Sequence, residues 1–162
     1  MRTLALAAAA LLASGSAALA TPASVTVTIG PELRVKAEKT YGVKEVDDLA
    51  QRLGKSVVRE LTKTGAYDSA HVDLVLVDAV PNRPTFKQLG DTPGLSFQSF
   101  GIGGAKIEGA ITTPDGTVIP VSYKYYEPDI RYAHANWTWS DATWTFDRFA
   151  SRLGRGKALA SR

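Results

Sequence analysis

The chain has 162 residues, 44% of them hydrophobic, a formal net charge of +3 and no cysteine. The missing cysteine excludes disulfide staples, a lipid-modified cysteine anchor and every cysteine-based metal site. The charge balance favours no class of charged partner over another.

Residues Met1 to Ala20 carry Arg2, an apolar run from Leu4 to Ala13 and the small-residue ending Ala18, Leu19, Ala20. This is the pattern of a secretory signal peptide, with an apolar core too short for a membrane span. Export would leave a soluble chain, periplasmic or secreted, that starts at Thr21 and has no transmembrane segment. What remains is about the commonest size for one domain, read here as 21–156 with a basic, frayed tail over 157–162.

Ser24 to Ile29 alternates Thr26 and Thr28 with Val25, Val27 and Ile29, the period of a half-buried strand, ended by Gly30 and Pro31. A loop of mixed charge is expected next. From Val43 to Thr64, Val46, Leu49, Ala50, Leu53, Val57 and Leu61 recur at helical spacing, with Asp47 and Asp48 near the start and Gly65 at the stop. His71 to Val80 contains the run Leu74, Val75, Leu76, Val77, which predicts a central strand buried on both faces. Pro81, Asn82, Arg83 and Pro84 end it, and Phe86 to Gly94 reads as a surface loop.

The most legible stretch follows. Thr113, Pro114, Asp115 and Gly116 fit a type I turn with a left-handed glycine, a three-residue hairpin loop that pairs Thr113 with Thr117. Counting outward, Ile111 faces Ile119, Gly109 faces Val121, Ile107 faces Tyr123 and Ala105 faces Tyr125, so the apolar partners share one side. Lys106, Glu108, Ser122 and Lys124 share the other side, with Glu108 diagonal to Lys124. Pro120 has no N–H for a ladder and places that strand at an edge. Ser140 is read as the cap of a last helix whose Ala142, Phe146, Phe149, Ala150 and Leu153 form one face, stopped by Gly154. These elements predict an α+β domain, a mainly antiparallel sheet of about four to six strands with two helices packed on one face. The first strand, helix and second strand form a candidate parallel crossover.

Together the signal peptide, a strand ending in VTIGPE, an amphipathic helix, a strand running VDLVLVDAV, a hairpin and a closing aromatic helix resemble small exported bacterial families classed as domains of unknown function. The resemblance implies envelope residence. The element order is also similar to that of periplasmic domains that dock partner proteins in outer-membrane assemblies, which implies an interaction role by analogy of fold.

No catalytic signature emerges. Gly101, Gly103 and Gly104 fit neither a dinucleotide fingerprint nor a phosphate loop and are read as a turn or bulge feeding the strand at Ala105. His134 has Glu127, Asp129 and Asp141 nearby in sequence, the residue types for acid–base work or a metal, but no ligand spacing accompanies them. No metal and no cofactor are expected. Arg52, Lys55, Arg59 and Lys63 fall on the helix face opposite the apolar stripe, a candidate contact for an anionic surface that is otherwise a solvated face.

Of the 14 aromatic residues, nine lie between Tyr123 and Phe149. Tyr123, Tyr125, Phe146 and Phe149 fit the core by register, whereas Tyr126, Tyr132, Trp137 and Trp139 do not and are the candidate binding residues. The plainer account folds that segment back as another strand with Trp137 and Trp139 packed over the sheet. Two functions from different classes remain at this point. One is a non-catalytic envelope protein binding a partner protein or a glycan, with no nucleic acid expected. The other is a carboxylate-dependent hydrolase of cell-envelope material using Glu127, Asp129 and Asp141.

Overall fold

Valine and threonine alternate through β1 (Ser24–Ile29), and this strand pairs in parallel with β2 (His71–Val80). β2 pairs antiparallel with β3 (Gly104–Thr112), and β3 with β4 (Val118–Tyr126), so the four-stranded mixed sheet has the order β1-β2-β3-β4. The computed structural model describes residues 21–157. The signal peptide read over 1–20 and the tail beyond Lys157 lie outside the described residues.

The register puts Val25, Val27 and Ile29 beside Val72, Leu74 and Leu76, and carries that face on to Ile107, Ile111 and Val121. Two long helices close it. α2 (Val43–Thr64) buries Val46, Leu49, Leu53, Val57 and Leu61, and α4 (Ser140–Gly154) buries Ala142, Phe146, Phe149, Ala150 and Leu153. α2 packs on β1 and α4, while α4 packs on β3 and β4. Each large side chain enclosed this way stabilises the fold by about 1.5–3 kcal/mol relative to exposure. The opposite face carries Thr26, Asp73, Lys106, Glu108 and Lys124 and is wet.

The hairpin has the expected register, residue for residue. Thr113 N–H donates to Thr117 O and Gly116 N–H to Thr113 O, both at 2.9 Å, with Gly116 at φ +84°. Pro120 does sit on an edge strand.

Several expectations need correction. The mixed-charge loop after β1 is α1 (Pro31–Lys36), running on into a single π turn over Ala37–Tyr41, because Leu33 and Ala37 pin two successive turns to the core. The loop after β2 begins with α3 (Phe86–Asp91), nucleated by a capping box in which Thr85 and Gln88 satisfy each other's backbone N–H groups. β2 is central but not buried on both faces: Val72, Leu74 and Leu76 are buried, and Val75 and Val77 only half so, since the long helices cover one side. Glu108 pairs with Lys106 on its own strand at 2.7 Å rather than with Lys124. The segment between β4 and α4 forms no strand; it is a 3-10 turn over Ile130–Tyr132 followed by irregular turns. Ser140 is the first residue of α4 rather than its cap, and Asn82 Oδ1 takes the Asp141 N–H from across the fold at 2.8 Å.

Candidate functional site

At the loop end of the sheet the fully buried Asp141 gathers four donors. Its Oδ2 accepts from Asn82 Nδ2 at 2.6 Å and Gly103 N–H at 3.0 Å, and its Oδ1 accepts from His134 N–H and His134 Nδ1, both at 2.9 Å. Burial pushes this carboxyl up, but the bonds from Asn82, His134 and Gly103 outweigh it, and the group lies below the ordinary carboxylate value. An ionised carboxylate only accepts, so His134 Nδ1 carries the hydrogen. The imidazole stacks on Trp144 with centroids 5.2 Å apart.

The glycine run therefore serves this carboxylate. A Cβ on Gly103 would fall 2.6 Å from Asn82 Oδ1, so only glycine lets the backbone reach Asp141. The other acidic candidates go elsewhere. Buried Glu127 accepts from the Tyr125 hydroxyl at 2.8 Å, and Asp129 is clamped by Arg131. Of the acid–base set, the structure joins His134 with Asp141 side chain to side chain, while Glu127 Oε1 takes only the Asp129 backbone N–H, at 3.2 Å. Among the described residues no group of three or more His, Asp and Glu side chains is placed to hold a metal ion.

The four aromatic candidates do not converge. Tyr126 is half-buried, its hydroxyl donating to Asp78 Oδ2 at 2.6 Å, and Tyr132 stands 67% exposed. Trp137 is 38% exposed under the Arg52 guanidinium, 4.8 Å from its ring centroid. Trp139 is 3% exposed, donates from Nε1 to Glu45 and meets Tyr41 edge-on at 5.5 Å, so it is a packing residue. Trp137 and Trp139 share a small cleft of about 150 Å³ with Phe86. Phe86 is 74% exposed and in turn meets Phe97 edge-on. The basic stripe is mostly engaged: Arg52 on Trp137, Arg59 to Asp147 at 2.8 Å, and Lys63 to Glu60 at 3.7 Å. Lys55 makes no ion pair among the described residues and instead stands at a larger cleft.

That cleft, about 820 Å³, runs between β1 and α2. Val25, Val27 and Ile29 form one wall and Ala50, Gly54 and Val58 the other, with Arg34, Asp47, Lys55 and Arg59 around the rim. Gly30 N–H donates to Leu76 O at 2.9 Å, which fixes the parity of β1, while at the strand's start the Ala23 and Ser24 N–H groups share Ala70 O at 2.8 and 3.5 Å. The even residues turn their peptide groups toward β2, and the N–H and C=O groups of Val25, Val27 and Ile29 turn outward to the open edge. The same three residues thus supply apolar wall and backbone that is unpaired among the described residues. A glycine inside a helix costs about 1 kcal/mol against alanine, and here Gly54 faces Val27 and keeps the groove wide.

Neither His134 nor Asp141 lines this cleft or the smaller one beside Trp137. No helix among the described residues is long and apolar enough to cross a membrane. Comparison with protein-family models, curated proteins and solved structures finds no match, so the chemistry of the surface itself carries the functional argument.

Proposed function

We propose that the chain is an exported, non-catalytic binding module that captures an extended peptide segment of an envelope protein by adding it as a strand beside β1. The observation that carries this reading is the apolar groove whose wall residues Val25, Val27 and Ile29 also present three outward donors and three outward acceptors. Strand addition uses such an edge for register and adjacent pockets for alternate side chains. Each main-chain bond contributes about 0.5–1.5 kcal/mol net, and apolar side chains in the groove add about 25 cal/mol per Å² buried. Lys55, at the rim and without an ion pair among the described residues, favours an acidic residue where the peptide passes the rim. The signal-peptide pattern over Met1 to Ala20 supports an envelope partner. The hydrolase alternative has no comparable support, because Glu127 and Asp129 are each committed to separate partners.

Fluorescence anisotropy with labelled octapeptides tests it. Peptides alternating valine with glutamate are expected to bind in about the micromolar range, near −8 kcal/mol, and those alternating valine with lysine more weakly. Gly54→Leu, which fills the groove opposite Val27, is expected to abolish binding. Equal binding by Gly54→Leu would end the proposal, and so would a stable dimer formed through β1 in sedimentation velocity.

A further inference from the structure

A second surface lies on the far side of α4. A cleft of about 450 Å³ is lined by Arg148, Arg152, Arg155 and Lys157 together with Trp144, Ser151 and Asp147. All four cations are exposed, and none forms an ion pair among the described residues. The cleft's one carboxylate is already taken, because Asp147 Oδ1 accepts from Arg59 Nη2 and Ser56 Oγ, both at 2.8 Å. The guanidinium of Arg148 lies 4.3 Å from the Trp144 ring centroid and 5.5 Å from that of Tyr125, and that of Arg152 lies 5.3 Å from Tyr123. These ring contacts hold Arg148 and Arg152 at the cleft, with less side-chain entropy to lose to an incoming anion than a free arginine would have.

We infer that this stripe is a binding site for a linear polyanion, a polysaccharide that carries sulfate or phosphate groups. Along a helix axis, residues four apart are offset by about 6 Å and residues three apart by about 4.5 Å, so Arg148, Arg152 and Arg155 form a row suited to successive charged groups on an extended chain. The lining argues against two other anionic surfaces. It includes no exposed aliphatic side chain to enter a bilayer. Trp144, the one aromatic ring in the lining, is already engaged by the Arg148 guanidinium and the His134 imidazole, which removes the stacking platform a single-stranded nucleic acid would use. The site is independent of the groove at β1, and each can fail without the other.

Salt-gradient elution of the mature chain from immobilised heparin, which carries sulfate, is the test, with deacylated lipopolysaccharide as a sugar-phosphate competitor. Wild-type protein is expected to be retained, and Arg148→Gln/Arg152→Gln/Arg155→Gln to bind about tenfold more weakly or worse, with a shallower salt dependence. Arg155→Gln/Lys157→Gln touches no aromatic ring, so it keeps the fold and is expected to weaken binding several-fold. Lys39→Gln/Lys44→Gln/Lys124→Gln removes the same charge as the triple variant at exposed positions outside the cleft and is expected to elute near wild type. Competition by deacylated lipopolysaccharide assigns the ligand to sugar phosphates and its failure to sulfates, either one within the proposal. Equal losses in the cleft and control variants would overturn it, as would tighter binding of DNA or phosphatidylglycerol vesicles than of heparin.

Discussion

β4 and β1 both end the sheet, yet their outer sides are built differently. On β4 the outward row runs through Pro120, which has no N–H to offer, and Lys124, whose charge discourages a neighbouring strand. On β1 the outward row is Val25, Val27 and Ile29, in a strand with no proline and no charge, above an apolar groove. Natural sheets guard bare apolar edges against unwanted pairing. One edge is guarded and the other is not, with a helix-interior glycine widening the groove beside it, and this contrast is what the proposed strand addition rests on.

The largest expected effect belongs to a change that touches neither edge and separates folding from binding. Asp141→Ala strands the Asn82 and Gly103 donors in the interior and releases the exposed His134, and is expected to cost about 3 to 5 kcal/mol in urea unfolding. The pH dependence follows from the same group. The folded carboxyl sits below its ordinary value, so its contribution is complete above that value, about 4, and is lost as pH falls through the folded pKa. Wild-type stability is therefore expected to decline on acidification below about pH 5, and Asp141→Asn to flatten much of that slope. The remainder comes from Asp78, which burial pushes up but hydrogen bonds from Lys36 and Tyr126 bring below the ordinary value, and from the exposed Asp115 and Asp129, held low by Thr113 and Arg131.

Next in size are two prolines placed one residue apart on β1. Thr28 turns its N–H toward β2, so Thr28→Pro breaks the ladder and is expected to cost about 3 kcal/mol or more. Val27 turns its N–H outward, so Val27→Pro is expected to cost only about 1 to 2 kcal/mol while abolishing peptide capture. Equal destabilisation by the two would contradict the assigned parity. Smaller again is Gly54→Ala, whose new Cβ meets Val27 Cγ2 at an ordinary 3.5 Å. It is expected to raise stability by about 0.5 to 1 kcal/mol while weakening peptide binding, a trade of function for stability visible in paired melting and anisotropy curves. Least of all, Pro120→Val is expected to change stability by no more than about 0.5 kcal/mol. Its effect would be a new concentration-dependent self-association in sedimentation, and a variant that stays monomeric would show that Pro120 is not the guard.

What could be read from the sequence was local. The hairpin followed from the four residues Thr113 to Gly116 because loop length alone sets its register. α2 followed because its period repeats over many residues, and β2 because the continuous apolar run Leu74 to Val77 is too short for a helix. α1 and α3 escaped because six residues give too little period to see, although the Thr85–Gln88 pair was a start signal available in the sequence. The sites needed information of longer range. Asn82 and Asp141 are 59 positions apart, and nothing in the PNRP punctuation announces that its asparagine holds a carboxylate. The groove depended on β1 lying at the edge and on α2 presenting Ala50, Gly54 and Val58 beside it, which neither segment shows alone. Trp139 looked surplus by helical and strand period because it packs from an irregular turn against Tyr41 and Glu45.

Amide hydrogen exchange with and without the valine–glutamate octapeptide addresses the β1 edge most directly. The peptide is expected to slow exchange at Val25, Val27 and Ile29, whose N–H groups face outward, and to leave Ser122 and Lys124 on the β4 edge unchanged. Slowed exchange at β4 with none at β1, or no slowing at either edge under saturating peptide, would contradict the proposed strand addition.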